Sequence, residues 1–224
     1  MIQFLNKELS LPPKTYQDKV NLKVVSDLAS YGVNYDSLPL EKKHKALMTY
    51  LSTVKPDVIR KGFKPVKYVL NPDIIVIDRA PSIKDAKDNQ SPSDIVIDKL
   101  ITELGFCNPY KTSLTFHITK SFNDWTLPKL QDEFKYKDLE FDNINIPQVF
   151  LLLGNDVLNS FYNTNNTVQG IFGDVYLSNY KGKDRLFIPI PHTAYLLREP
   201  ELYKSTVLFL RYIRSILQKI KKED

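Results

Sequence analysis

The sequence predicts an α/β fold. The expected architecture is three-layer α/β/α, with a central, mostly parallel four-stranded sheet and an N-terminal helical extension. Two observations carry that expectation. Short β-branched apolar runs, bounded by Pro, Gly or Asp, alternate with segments whose apolar residues recur at three- and four-residue spacing. Strands alternating with helices form βαβ units, whose crossovers put helices on both faces of a parallel sheet. The extension is assigned to residues 1–68 and the α/β domain to residues 69–224.

Residues 1–18 read as a loose arm, because Leu11-Pro12-Pro13-Lys14 cannot continue a helix. From Lys19 to Lys61 the pattern is helical, carried first by Val20, Leu22, Val25 and Leu28 and then repeated from Lys42 to Val54. Asp36-Ser37-Leu38-Pro39 divides it and starts the second helix. Pro72 to Asp78 is a buried parallel strand, ended by the loop Arg79-Ala80-Pro81-Ser82. Ser93 to Gly105 is a helix with Ile95, Ile97, Leu100, Ile101 and Leu104 on its apolar positions and a glycine stop. Ser113 to Thr119 alternates Leu114, Phe116 and Ile118 as a second strand. Gln148 to Gly154 is a third, followed by a helix from Asn155 to Tyr162. Arg185 to Ile190 is the fourth strand, and Glu199 to Lys222 closes the chain as an amphipathic helix.

Composition narrows the function classes. The chain has 224 residues, 42% hydrophobic and 25% charged, a balance that builds a core and excludes a disordered chain. The single cysteine, Cys107, excludes a disulfide framework and any thiolate-held cluster. A net charge of +5 suits an anionic partner such as nucleic acid. No stretch has the apolar length to span a bilayer, and Met1 to Glu8 lacks the pattern of a signal peptide. The expectation is a cytoplasmic monomer. No Gly-rich phosphate loop follows any strand, which argues against a nucleotide-binding enzyme.

Ligands of such sheets bind at the carboxyl ends of the strands. Three loops leave those ends, Asp78 to Pro92, His117 to Asn123 and Pro191 to Pro200, and they hold His117 and His192. His44, in a Lys-rich helix, is expected to be exposed, and Trp125 to be a core anchor.

The last of those loops reads Pro191-His192-Thr193-Ala194-Tyr195-Leu196-Leu197-Arg198-Glu199-Pro200. It resembles the second signature motif of the uracil-DNA glycosylase superfamily, most closely the thermophile-type branch, where a strand leads into His-Pro-Ala-Tyr-Leu-Leu-Arg-Asn-Pro. Phe150-Leu151-Leu152-Leu153-Gly154 is similar to the Leu-Gly strand before that motif. Asp78-Arg79-Ala80-Pro81-Ser82 resembles the first motif, Gly-Glu-Ala-Pro-Gly, in part: Ala80 and Pro81 match, and Arg79 stands where the family has a catalytic Glu. The resemblance covers residues 70 to 218, without the four cysteines of the family's iron–sulfur cluster.

The resemblance implies a monofunctional DNA glycosylase that hydrolyses the N-glycosidic bond of a flipped uracil or modified pyrimidine. It would use no metal and no cofactor, with DNA as its partner, in repair or in defence against viruses with modified DNA. His192 would donate a hydrogen bond to the base as charge develops. Asp85 would be the carboxylate that serves water or the sugar cation, with Asp78 and Asp88 as rivals. His117, Ala80 and Pro81 would contact the base. Tyr195, Leu196, Leu197 and Arg198 would engage DNA, with Leu196 or Leu197 as the wedge and Arg198 on a phosphate. The family's stacking aromatic falls at Ser91-Pro92. The small polar stretch Asn89 to Asp94 therefore suggests a base larger than uracil, while an aromatic supplied by Phe122 or Trp125 would leave uracil as substrate. The alternative function is a non-catalytic DNA-binding relative, which the Arg79 replacement favours.

Overall fold

The structure, a computed structural model, describes residues 2–10, 14–51, 67–79, 91–114, 136–162 and 164–223. Its strands are β1 (Gln3–Asn6), β2 (Ile74–Asp78), β3 (Pro109–Ser113), β4 (Val149–Leu153), β5 (Asp174–Tyr180) and β6 (Lys183–Ile190). Its helices are α1 (Lys14–Ser30), α2 (Leu40–Thr49), α3 (Pro92–Leu104), α4 (residues 136–141), α5 (Asn155–Tyr162), α6 (Thr193–Leu196) and α7 (Pro200–Glu223).

The strands form one sheet in the order β1-β5-β6-β4-β2-β3. The four strands β6, β4, β2 and β3 are mutually parallel, as expected. Two more strands correct the expected count. β5 runs antiparallel to β6 through the two-residue turn Lys181-Gly182, and β1 adds in parallel to β5 at the edge. β1 lies inside the segment read as a loose arm. Its residues carry no strand signal of their own, and backbone pairing with Asp174 to Leu177 makes the strand. β3 is also displaced: it occupies Pro109–Ser113 rather than Ser113 to Thr119. Pairing with all of β2 sets that register, and Leu114 donates its N–H to the Asp78 carbonyl where the pair ends. Residues 115–119 lie outside the described residues.

β4 is buried along its whole length, the mark of a central parallel strand. Its side chains alternate between two clusters. Val149, Leu151 and Leu153 join Leu100 and Ile101 of α3 and Leu210 and Ile213 of α7. Phe150 and Leu152 join Phe141 of α4 and Val157, Leu158 and Phe161 of α5. Phe150 stacks on Phe187 of β6, with ring centroids 4.6 Å apart. This double burial makes the carboxyl ends of β2, β4 and β6 a rigid platform.

α1 and α2 have a core of their own, with Val24, Leu28, Leu47 and Tyr50 packed against Leu139 of α4. A 3₁₀ turn at Tyr35–Ser37 separates them where the sequence predicts the break. The expected exposed His44 is in fact 4% exposed. It shares an α2 stripe with Leu47, Met48 and Leu51, and its ring lies against Tyr68 and Tyr110. Beneath it, Glu140 accepts hydrogen bonds from Tyr110, Thr112 and Lys137, and Lys137 also donates to Thr112. Burial and then the Glu140 charge push the Tyr110 phenol far above its ordinary pKa, so it stays a donor.

Candidate active site at the carboxyl edge of the sheet

Three neighbouring strands build the site. β2 ends on Asp78, β4 runs through Gly154 into α5, and β6 runs through Pro191 to His192, the N-cap of α6. The Nε2–H of His192 donates to Oδ1 of Asp78 at 3.0 Å. The same oxygen accepts the Arg79 backbone N–H at 2.6 Å. Nδ1 of His192 accepts the Ala194 N–H at 3.2 Å. Both ring nitrogens are thus engaged, and the pattern describes a neutral imidazole with its proton on Nε2.

Two contacts pull the ring's titration in opposite directions. Burial lowers the His192 pKa, and the hydrogen bond and charge of Asp78 raise it. The net shift is upward from 6.5, because the carboxylate stabilises the imidazolium more than burial penalises it. Protonation would place a hydrogen on Nδ1 and break the Ala194 contact.

Gly154 makes the pair possible. It sits between the two partners in the strand order, at φ +86, and a Cβ there would lie 3.0 Å from the His192 Cβ. Its N–H is held by the Ile190 carbonyl at 2.8 Å. A glycine tolerates both the left-handed backbone and the close approach.

In front of His192 opens a cleft of about 340 Å³, walled by Arg79, Gly154, Asn155, Asp156 and Gln169 and rimmed by Arg198. Arg79 pairs with Asp156 at 3.2 Å. Its guanidinium therefore ties the end of β2 to α5, at the position where the resemblance leads one to look for a Glu. A preorganised Nε2–H, a carboxylate and two guanidinium groups at one cleft can polarise water and stabilise charge of either sign. Among the described residues, no group of three or more His, Cys, Asp and Glu side chains could hold a metal ion.

The structure thus brings together His192 and Asp78, which sequence reasoning named separately. Asp85, Asp88, His117, Ala80, Pro81, Phe122 and Trp125 lie outside the described residues. Tyr195 is half-buried and Arg198 is exposed, its Nε donating to the Ala194 carbonyl at 3.1 Å. The two leucines separate: Leu196 is 3% exposed and packs in the α3–α7 cluster, so it is no wedge, and Leu197 is 48% exposed. The small polar stretch is also corrected in part. Ser91 is buried as the N-cap of α3 and exchanges hydrogen bonds with Asp94, so these two groups cap a helix and do not serve a substrate. Sequence reasoning missed Asp156 and Gln169. Asp156 follows a strand's carboxyl end, as His192 does, and that rule alone would have marked it. Gln169 carries no such signal.

No family model matches the sequence, and no curated protein matches it. Among the described residues, no helix is long and apolar enough to cross a membrane.

Proposed function

We propose that this chain is a DNA glycosylase built on a three-layer α/β/α domain, cutting a flipped pyrimidine from deoxyribose in the cleft before His192. The observation that carries the reading is the 3.0 Å contact between His192 Nε2 and Asp78 Oδ1 at the carboxyl edge of the sheet. It puts a hydrogen-bond donor and a carboxylate side by side, as cleavage of a glycosidic bond requires. The exposed Leu197 and Arg198 on the adjoining turn support an approach by duplex DNA.

The proposed reaction follows from charge. As the C1′–N bond stretches, the sugar becomes cationic and the base anionic. A base oxygen carrying that charge outcompetes Asp78 for the Nε2–H of His192. Asp78 then faces the sugar cation and accepts a proton from the attacking water. The products are the abasic sugar with its new hydroxyl and a base that takes up the balancing proton.

The Arg79–Asp156 pair favours a second reading, a non-catalytic DNA-binding relative, because a cation stands where a carboxylate would be needed. One experiment separates the two. Duplexes and single strands carrying uracil or 5-substituted uracils are incubated with the protein, and abasic sites are cleaved with alkali. Base release by the wild type, lost in His192→Ala with DNA binding intact, is the expected result. Binding without release on every substrate would establish the second reading.

A further inference from the structure

Arg79 and Asp156 join two walls of the cleft. Arg79 follows the end of β2, Asp156 lies in the first turn of α5, and Nη1 of the arginine donates to Oδ2 of the aspartate at 3.2 Å. Both side chains line the cleft in front of His192, and they are 36% and 41% exposed. An ion pair this open to water is weak, because solvent screens it and holding two side chains in one geometry costs entropy. Among the described residues Asp156 is the one carboxylate of the cleft wall. The imidazole feels both charges: after burial and Asp78, Arg79 lowers and Asp156 raises the His192 pKa.

We infer that this pair is an exchange device: a phosphate of the bound DNA takes Arg79, and the freed Asp156 carboxylate faces the sugar cation. The inference rests on the base-excision reading of the cleft. Arg79 touches Asp156 through Nη1 alone, whereas a phosphate accepts two N–H groups of a guanidinium fork at once. Asp156 loses little when Arg79 leaves, because the positive end of α5 still favours a carboxylate there. Arrival of DNA thus turns a neutralised pair into a lone negative charge at the cleft wall, where the cation forms. Asp156 makes no bond to the sugar. It stabilises the cation as the C1′–N bond breaks, and the proton of the attacking water goes to Asp78, as above.

The test measures plain-duplex binding across a salt series, and base release from duplex carrying uracil or 5-hydroxymethyluracil. Asp156→Asn removes the competitor for Arg79 with a side chain of the same shape. It should bind plain duplex about two- to fivefold more tightly, the worth of an exposed ion pair. The same variant should lose about tenfold or more in kcat with KM no higher, because the cation loses its carboxylate. Arg79→Ala should lower the salt slope of log K by about 0.9, the value for one phosphate contact. In Arg79→Ala/Asp156→Asn the gain in affinity should vanish, since that gain needs Arg79. If Asp156→Asn gains the same affinity with and without Arg79, or if Arg79→Ala keeps the wild-type salt slope, the exchange is overturned. If Asp156→Asn releases base at the wild-type kcat, its catalytic role is overturned and the base-excision reading stands. If the wild type releases neither base, the base-excision reading has failed and the catalytic role of Asp156 with it, while the binding measurements still decide whether Arg79 takes a phosphate.

Discussion

Gly154 and His192 approach so closely that a Cβ on the glycine would stand 3.0 Å from the His192 Cβ and 3.6 Å from its Cδ2. The glycine ends the strand lying between Asp78 and His192, and its missing side chain is the space the imidazole crosses to reach the carboxylate. Gly154→Ala should therefore destabilise the fold by about 1–3 kcal/mol, from the left-handed backbone and the contact together. It should also pull the His192 pKa down by separating the pair. Urea denaturation and the histidine NMR titration check the two effects. An unchanged His192 titration would show that the pair does not depend on the glycine.

The Asp78–His192 pair gives stability a defined pH dependence. The folded pKa of His192 lies above 6.5, so its contribution is complete below 6.5 and is lost as pH rises through the folded value. In Asp78→Asn the carboxylate is gone and burial dominates, so the pKa should fall below 6.5. The slope then reverses, and this group's contribution is lost as pH falls. Urea midpoints on either side of that range, in wild type and variant, measure the reversal.

Lys137 and Glu140 form a buried pair without a local sequence signal, joined at 2.7 Å with both side chains almost wholly enclosed. Removing either partner strands the other charge. Lys137→Ala or Glu140→Ala should each cost about 3–5 kcal/mol, and chemical denaturation reads the loss. A cost below about 1 kcal/mol, the surface-pair range, would contradict the buried geometry.

Leu196 and Leu197 should behave in opposite ways despite adjoining in sequence. Leu196→Ala should destabilise by about 2–5 kcal/mol, because it empties a core position. Leu197→Ala should leave stability nearly unchanged and weaken action on duplex DNA more than on single strands, since only a duplex must be unstacked. Thermal melts and paired duplex and single-strand assays separate the two.

Arg198→Ala should weaken duplex binding and lower the salt slope of log K by about 0.9, the value for one phosphate contact. Its bond to the Ala194 carbonyl makes a second outcome measurable. If melting temperature falls and the salt slope does not change, Arg198 serves the α6 turn alone.

α3, α5, α7 and the central strands were legible because their signals are local, whereas α4, α6 and the first turn of α1 were not read. The apolar spacing of Ile97, Leu100, Ile101 and Leu104 with the stop at Gly105 announces α3, and the apolar run Val149 to Leu153 announces a strand buried on both faces. β1 and β5 were not legible. Gln3 to Asn6 is exposed along its length and reads as strand only through its register with β5. His44 was misread for a related reason: the lysines beside it lie on the other face of α2, and only helical phase separates them from the buried stripe.

The sequence by itself determined the alternation of strands and helices, the parallel centre of the sheet and the placing of Asp78 and His192 at strand ends. Those follow from periodicity and from short-range stop signals, which act within a few residues. Tertiary structure alone decided that His192 donates a hydrogen bond to Asp78 beside Gly154, that Arg79 reaches Asp156, and that Leu196 turns inward while Leu197 turns out. The physical reason is distance along the chain. Residues 78, 154 and 192 have no local interaction through which to specify one another. They meet because β4 lies between β2 and β6, and that order is set by burial of the whole sheet.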